Sequence, residues 1–227
     1  HKPLCQSLAD QFEVSNPHLL PMPMMNVING GKHADSGLSF QECMIIPTGL
    51  SSFTEAIQAG AETFHALKKL LKDAGSTVSV GDEGGFAPQV KNADEAFDFL
   101  MKAIDAAGYT GKMQIGIDAA ASEFCNDGSY DLDGKTVSSA ELTAYYEELC
   151  KKYPLVSIED SHSEDDWDGF ADLTAKLGDA KQLVGDDLLV TNVERIQKAI
   201  DEKTVNSVLI KLNQIGTVSE TVDAIKL

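Results

Sequence analysis

The chain has 227 residues, 43% of them hydrophobic and 24% charged, a balance that excludes a disordered chain. Lys and Arg number 18 against 36 Asp and Glu, a net charge of −18. Such a surface repels phosphate backbones and anionic lipids, so nucleic-acid and membrane-surface partners are not expected. No apolar run approaches the roughly 20 residues of a membrane helix, and no secretory leader is visible. Cys5, Cys43, Cys125 and Cys150 are scattered without a CxxC pair, which reads as reduced, intracellular thiols. The chain starts at His1 rather than Met and stops at Leu227 inside a predicted helix, so a piece of a longer protein is expected.

In chain order, residues 4–12 read as a helix, followed by a linker through Asn16-Pro17 and Pro21-Met22-Pro23. Residues 1–20 are assigned to the end of a preceding domain or a junction, and 21–227 to one α/β domain. Apolar runs of strand length follow at 22–28, 43–46, 77–80, 113–117, 155–158, 182–184 and 205–210. Several are nearly continuous, as strands covered on both faces are. Helices between them carry start signals. Ser52 with Glu55, Ser138 with Glu141, Thr191 with Glu194 and Thr217 with Glu220 fit capping boxes, and Asn92 with Glu95 resembles one. Gly75, Gly108 and Gly178 sit where left-handed stop residues belong. Phe53, Ile57, Phe64, Leu67 and Leu71 are spaced to line one helix face, and Phe97, Leu100, Ile104 and Ala107 another. Residues 125–137 read as a small inserted hairpin with turns at Asp127-Gly128 and Asp133-Gly134.

Strand and helix alternate from about residue 77 onward, which predicts parallel strands with right-handed crossovers. An open doubly wound sheet and a (β/α)8 barrel compete. Neither GxGxxG nor GxxxxGK[ST] is present, so the nucleotide-binding fingerprints are missing.

The apolar runs border acids. Gln41-Glu42 follow Phe40, Asp82-Glu83 follow Gly81, Asp118 follows Ile117, Glu159-Asp160 follow Ile158, and Asp186-Asp187 follow Gly185; Lys211 follows Ile210. A single Asp at a strand end ordinarily makes a turn or a cap. Here the capping positions are already filled further along the chain. In a parallel α/β barrel the strands' carboxyl ends share one face, so these carboxylates and one ammonium would surround a common cavity. Clustered acids repel one another and raise their own pKa values, so a positive charge belongs among them. Hard oxygen ligands point to Mg²⁺, and no His/Cys set is spaced for zinc. Lys211, in an apolar setting, reads either as a lysine reaching for solvent or as a base whose pKa is lowered by desolvation and metal charge. Metal-binding acids with such a lysine suit removal of a proton beside a carboxylate, where divalent cations stabilise the second negative charge.

The ordered segments Asn26-Val27-Ile28-Asn29-Gly30-Gly31 with His33, Phe40-Gln41-Glu42, Gly81-Asp82-Glu83-Gly84-Gly85, Ile117-Asp118, Ser157-Ile158-Glu159-Asp160, Gly185-Asp186-Asp187-Leu188 and 210–217 resemble the enolase family, the glycolytic phosphopyruvate hydratases. The resemblance implies an incomplete enolase-type (β/α)8 TIM-like barrel, with about six of eight strands present. It implies a lyase that reversibly dehydrates 2-phosphoglycerate to phosphoenolpyruvate with Mg²⁺. On this reading Lys211 takes the carbon-2 proton, and Glu83, assisted by Glu42, helps the carbon-3 hydroxyl leave. Asp118, Glu159 and Asp186 hold the tighter magnesium, and Glu159 and Asp186 also face the substrate. A second magnesium bridges to the phosphate. Gln41 lies near the metal-bound carboxylate, His33 rides a mobile lid, and Asp82, Asp160 and Asp187 support their neighbours. Ser161 stands where the family has Pro or Gly. A cytoplasmic homodimer is also implied. The family's N-terminal serine loop and C-terminal phosphate-binding segment have no counterpart in these residues, so this chain alone is expected to be inactive. The rival readings are an acid-sugar dehydratase or racemase of the same superfamily, which would not carry the Gly81–Gly85 and Phe40–Glu42 segments, and a non-catalytic acidic binding fragment, which needs no lysine base.

Overall fold

A computed structural model describes residues 1–31, 37–81 and 83–227. Helix α1 (Leu4–Phe12) precedes strands β1 (Met25–Asn29) and β2 (Glu42–Ile46), then helices α2 (Phe53–Asp73) and α3 (Ala93–Ala106) and strand β3 (Gln114–Asp118). A 3-10 turn (Ala121–Phe124) leads into the short strands β4 (Cys125–Asn126), β5 (Ser129–Leu132) and β6 (Lys135–Val137). The chain continues through α4 (Ser139–Lys152), β7 (Leu155–Glu159), α5 (Trp167–Leu177), β8 (Gln182–Gly185), α6 (Val193–Glu202), β9 (Ser207–Val208), α7 (Leu212–Ile215) and α8 (Val218–Lys226).

The main sheet has six strands in the order β1-β2-β3-β7-β8-β9. From β3 to β9 the pairs are parallel, as alternation of strand and helix predicts. β2 is the exception, antiparallel to both β1 and β3. Two helices, α2 and α3, carry the chain from β2 to β3. The amino end of β2 therefore lies on the same rim as the carboxyl ends of β1, β3 and β7. The sheet is open, with β1 and β9 at its edges.

The run 77–80 is not a ladder strand. Val80 makes a single bridge to Phe86 and is 59% exposed. Its hydroxyls turn the backbone locally: Thr77 Oγ1 accepts from the Ser79 amide at 3.2 Å, a bond that competes with sheet pairing. Phe86, by contrast, is buried and ties this stretch to β1. Its amide donates to Val27 and its carbonyl accepts from Asn29, and its ring stacks on Phe64 at 4.3 Å.

Ser52, Asn92, Ser138 and Thr217 cap α2, α3, α4 and α8 as predicted, with a complete reciprocal box at Ser138 and Glu141. Helix α6 differs. Asn192 is its cap, accepting from the Glu194 and Arg195 amides. Thr191 is fully buried with φ 54°, and its hydroxyl serves Gln214 and the Lys211 amide. Asp166 caps α5 through the Gly169 amide, a start without a predicted signal. Gly75 and Gly108 are left-handed, whereas Gly178 keeps a right-handed φ of −62°.

The buried face of α2 also departs from expectation. Phe53 and Ile57 are exposed; Ala56, Ala59, Gly60, Thr63, Leu67 and Leu71 are buried. Gly60 sits against Met25 of β1, whose sulfur would lie 2.3 Å from a Cβ built there. On α3, Phe97, Leu100 and Ile104 are buried as predicted.

The segment 125–137 forms a three-stranded meander, β4-β5-β6. Asp127 and Gly128, and Asp133 and Gly134, all have positive φ, as type I′ turns require. The meander is latched to the chain before β2. Asp133 Oδ1 accepts from the Ser39 amide at 3.0 Å, and Ser39 Oγ accepts from the Asp133 amide at 2.7 Å. The core beneath includes Phe40 stacked on Tyr146 at 5.8 Å, both fully buried.

Candidate metal and proton-transfer site

Strand register sets the first part of the site. Glu42 pairs with Asp118 across β2 and β3, and Asp118 with Glu159 across β3 and β7. Residues directly opposite one another share a face, so the three carboxylates form one row. Asp186 follows Gly185 at the end of β8 and extends the rim. Asp118, Glu159 and Asp186 are all buried, whereas Glu42 is half-buried.

Buried carboxylates need donors. Asp118 accepts from the Ala120 amide at 2.9 Å and from Gln41 Nε2 at 3.3 Å. Asp186 Oδ1 accepts from Gln214 Nε2 at 2.8 Å, and its Oδ2 pairs with the Lys211 ammonium. Asp160, beside Glu159, is also buried and accepts from the amides of Asp186 and Asp187, each at 2.8 Å.

These donors do not balance the charge. Burial, then the neighbouring Asp160 and Asp186 charges, push Asp118 up to about 7. Burial, then the charges of Asp118, Asp186 and Asp160, push Glu159 up to about 9. Burial lifts Asp160 to about 6 against the pull of its two backbone donors. Such a set holds excess negative charge unless protonated or joined by a cation.

The Lys211 side chain is 42% exposed. Burial lowers its pKa, but the bond to Asp186 and the charges of Asp186, Glu159 and Asp187 outweigh that, so the net direction is upward. In this arrangement the ammonium form is favoured.

The structure thus joins Gln41, Asp118, Glu159, Asp186 and Lys211 through bonds or charge, and register adds Glu42. Glu83 is exposed, on a stretch that hangs from β1 through Phe86. His33 and Asp82 lie outside the described residues. Among the described residues, the acids with one carboxylate oxygen each mutually within 4.8 Å are Asp160, Asp186 and Asp187, not the predicted trio. Gln214 and Thr191 have bonding roles that the sequence reading did not assign. The signal available for Gln214 was its position three residues beyond Lys211, one turn away along α7.

An α/β sheet with buried acids along its carboxyl rim and a lysine paired to one of them is the architecture of a barrel-type domain. The profile described as enolase, C-terminal TIM barrel domain, matches residues 17–227, and the chain belongs to that family. It is 55% identical over 214 residues to the enolase of Acidothermus cellulolyticus, covering 93% of this chain and 50% of that protein. The chain therefore spans about half the length of this curated relative. Among the described residues no helix is long and apolar enough to cross a membrane.

Proposed function

We propose that the protein containing this chain is a lyase of glycolysis and gluconeogenesis, a phosphopyruvate hydratase that reversibly dehydrates 2-phosphoglycerate to phosphoenolpyruvate. The observation that supports this most is the Lys211–Asp186 pair set among buried carboxylates on the rim of an enolase-family barrel domain.

The donor set suits a hard divalent cation, Mg²⁺, because it is all oxygen and its acids are crowded together in a buried setting, which raises the pKa values of Asp118 and Glu159 through burial first and neighbouring charge second. Asp118, Glu159 and Asp186 are the proposed ligands. Once bound, the cation supplies counter-charge for the substrate carboxylate and offsets the negative field that keeps Lys211 protonated.

The remaining work falls to side chains. Neutral Lys211 takes the proton from carbon 2. Glu83, aided by Glu42, is assigned to deliver a proton to the carbon-3 hydroxyl as the C–O bond breaks, so one water leaves and the C2–C3 double bond forms. Gln41 and His33 are assigned to orienting the substrate. The complete protein is proposed to act as a cytoplasmic homodimer, on the strength of the family resemblance alone.

The test is formation of phosphoenolpyruvate, followed by its ultraviolet absorbance, by the chain extended to the length of its relatives. Magnesium-dependent turnover that disappears in Asp186→Asn supports the reading. Turnover that persists in Asp186→Asn, or that needs no divalent cation, overturns it.

A further inference from the structure

We infer that Asp160 is a positioning residue: its carboxylate clamps the turn after β8 and thereby fixes the spacing between Glu159 and Asp186. The inference rests on the proposed metal site.

Asp160 directly follows Glu159, and its backbone is held on both sides. Its amide donates to Val184 at 3.0 Å and its carbonyl accepts from Ala121 at 3.1 Å. Its φ is 40°, in the left-handed region that costs a side-chain-bearing residue energy and that persists where surrounding structure enforces it. From this position its side chain reaches across to the turn after β8. Oδ1 accepts from the Asp186 amide and Oδ2 from the Asp187 amide, each at 2.8 Å. Two consecutive N–H groups gripped by one carboxylate leave the turn little freedom, and the bonds are charge-assisted. Asp160 is only 5% exposed, so water does not compete freely for them.

The clamp has a direct effect on chemistry. With the Asp186 backbone fixed, its carboxylate meets Lys211 on one oxygen and Gln214 on the other. Asp160 is therefore the covalent neighbour of one proposed ligand and the hydrogen-bonded anchor of another.

The competing role is that of a ligand, since an oxygen of Asp160 lies within 4.8 Å of oxygens of Asp186 and Asp187. The geometry favours the clamp. Both Asp160 oxygens already accept backbone N–H groups, Asp187 is exposed, and Asp186 is directed toward Lys211 and Gln214.

The experiment is Asp160→Asn in the full-length protein, with two readouts. Amide hydrogen exchange of residues 186 and 187 is measured without metal, and Mn²⁺ affinity is measured by titration calorimetry. Asn presents an N–H₂ to one of the two amides and can satisfy only the other. Exchange is expected to rise roughly tenfold or more, and affinity to fall about 10–100-fold, the range seen when a residue supporting a metal ligand is removed. Lost affinity with unchanged exchange makes Asp160 a ligand and overturns the clamp; no change in either readout also overturns it. If the variant does not fold, the wild type decides: protected amides at 186 and 187 without metal support the clamp, and freely exchanging ones overturn it. Full metal affinity in Asp186→Asn would sink the proposed metal site while leaving the exchange result standing.

Discussion

The Lys211 ammonium and the Asp186 carboxylate form an ion pair beyond the ends of β8 and β9, and Gln214 donates to the other oxygen of the same carboxylate. The lysine is partly exposed while the acid is buried, so the pair joins solvent to the interior of the rim.

Lys211→Ala removes the proposed base and a partner of Asp186. In the complete protein, turnover is expected to fall by about 10²–10⁴-fold, the range for a lost general base. Divalent-cation affinity is expected to hold or rise, because a competing cation has gone. Steady-state kinetics and calorimetry read the two effects separately, and near-normal turnover would remove Lys211 from the chemistry.

His162 offers a pH prediction. It is buried and neutral, ringed by Tyr130, Tyr146 and Phe170, with the Ser161 and Thr143 hydroxyls and the Ser139 carbonyl at its nitrogens and Asp166 nearby. Burial lowers its pKa below 6.5, against the smaller raising influence of Asp166. The unfolded chain therefore takes up the proton first, and stability is lost as pH falls through about 6.5 toward the lower folded value. Chemical denaturation across this window should show less acid loss in His162→Gln than in the wild type. Equal slopes would assign the acid sensitivity to other groups.

Gly30→Ala tests a close backbone approach at the loop leading to Gln41. A Cβ there would stand 2.4 Å from the Phe40 carbonyl oxygen, and the Gly30 amide donates to the Gln41 carbonyl at 2.9 Å. The backbone must shift, at a cost of about 1–3 kcal/mol typical of overpacking. Urea denaturation measures it, and an unchanged midpoint would show that the strands separate freely at this point.

Ser138→Ala removes the side chain that accepts from the Glu141 amide and breaks the reciprocal box opening α4. Loss of such a cap costs about 1 kcal/mol. The exposed Ser138–Glu141 bonds involve none of the proposed ligands, so metal affinity should stay put while the thermal midpoint drops. A change in affinity would reveal coupling between the start of α4 and the rim.

Much of the frame was legible because its signals are local. Four predicted caps and both Asp-Gly turns depend on residues within one turn of each other. Acids bordering the apolar runs at 42, 118, 159 and 186 were visible, and the sheet then arranged them along one rim. Strand direction was not legible: an apolar run reads the same in either sense, so the reversal of β2 is invisible until α2 and α3 return the chain. Which face of α2 turns inward depends on its tertiary neighbours, Met25 against Gly60 among them, which spacing cannot supply. The spatial partner of Lys211 was not legible either: its sequence neighbours are apolar, and the Asp186 carboxylate meets it from beyond another strand.

The reciprocal bonds between Ser39 and Asp133 make the two Asp-Gly turns of the meander unequal. A tag or loop grafted at Asp127-Gly128 would sit on a bend that carries no such reciprocal bonds among the described residues. The same graft at Asp133-Gly134 would pull on Ser39, two residues before Gln41, and reach the acids from the far surface. Engineers choosing an insertion point by exposure alone would treat both turns alike and find one of them wired to the site.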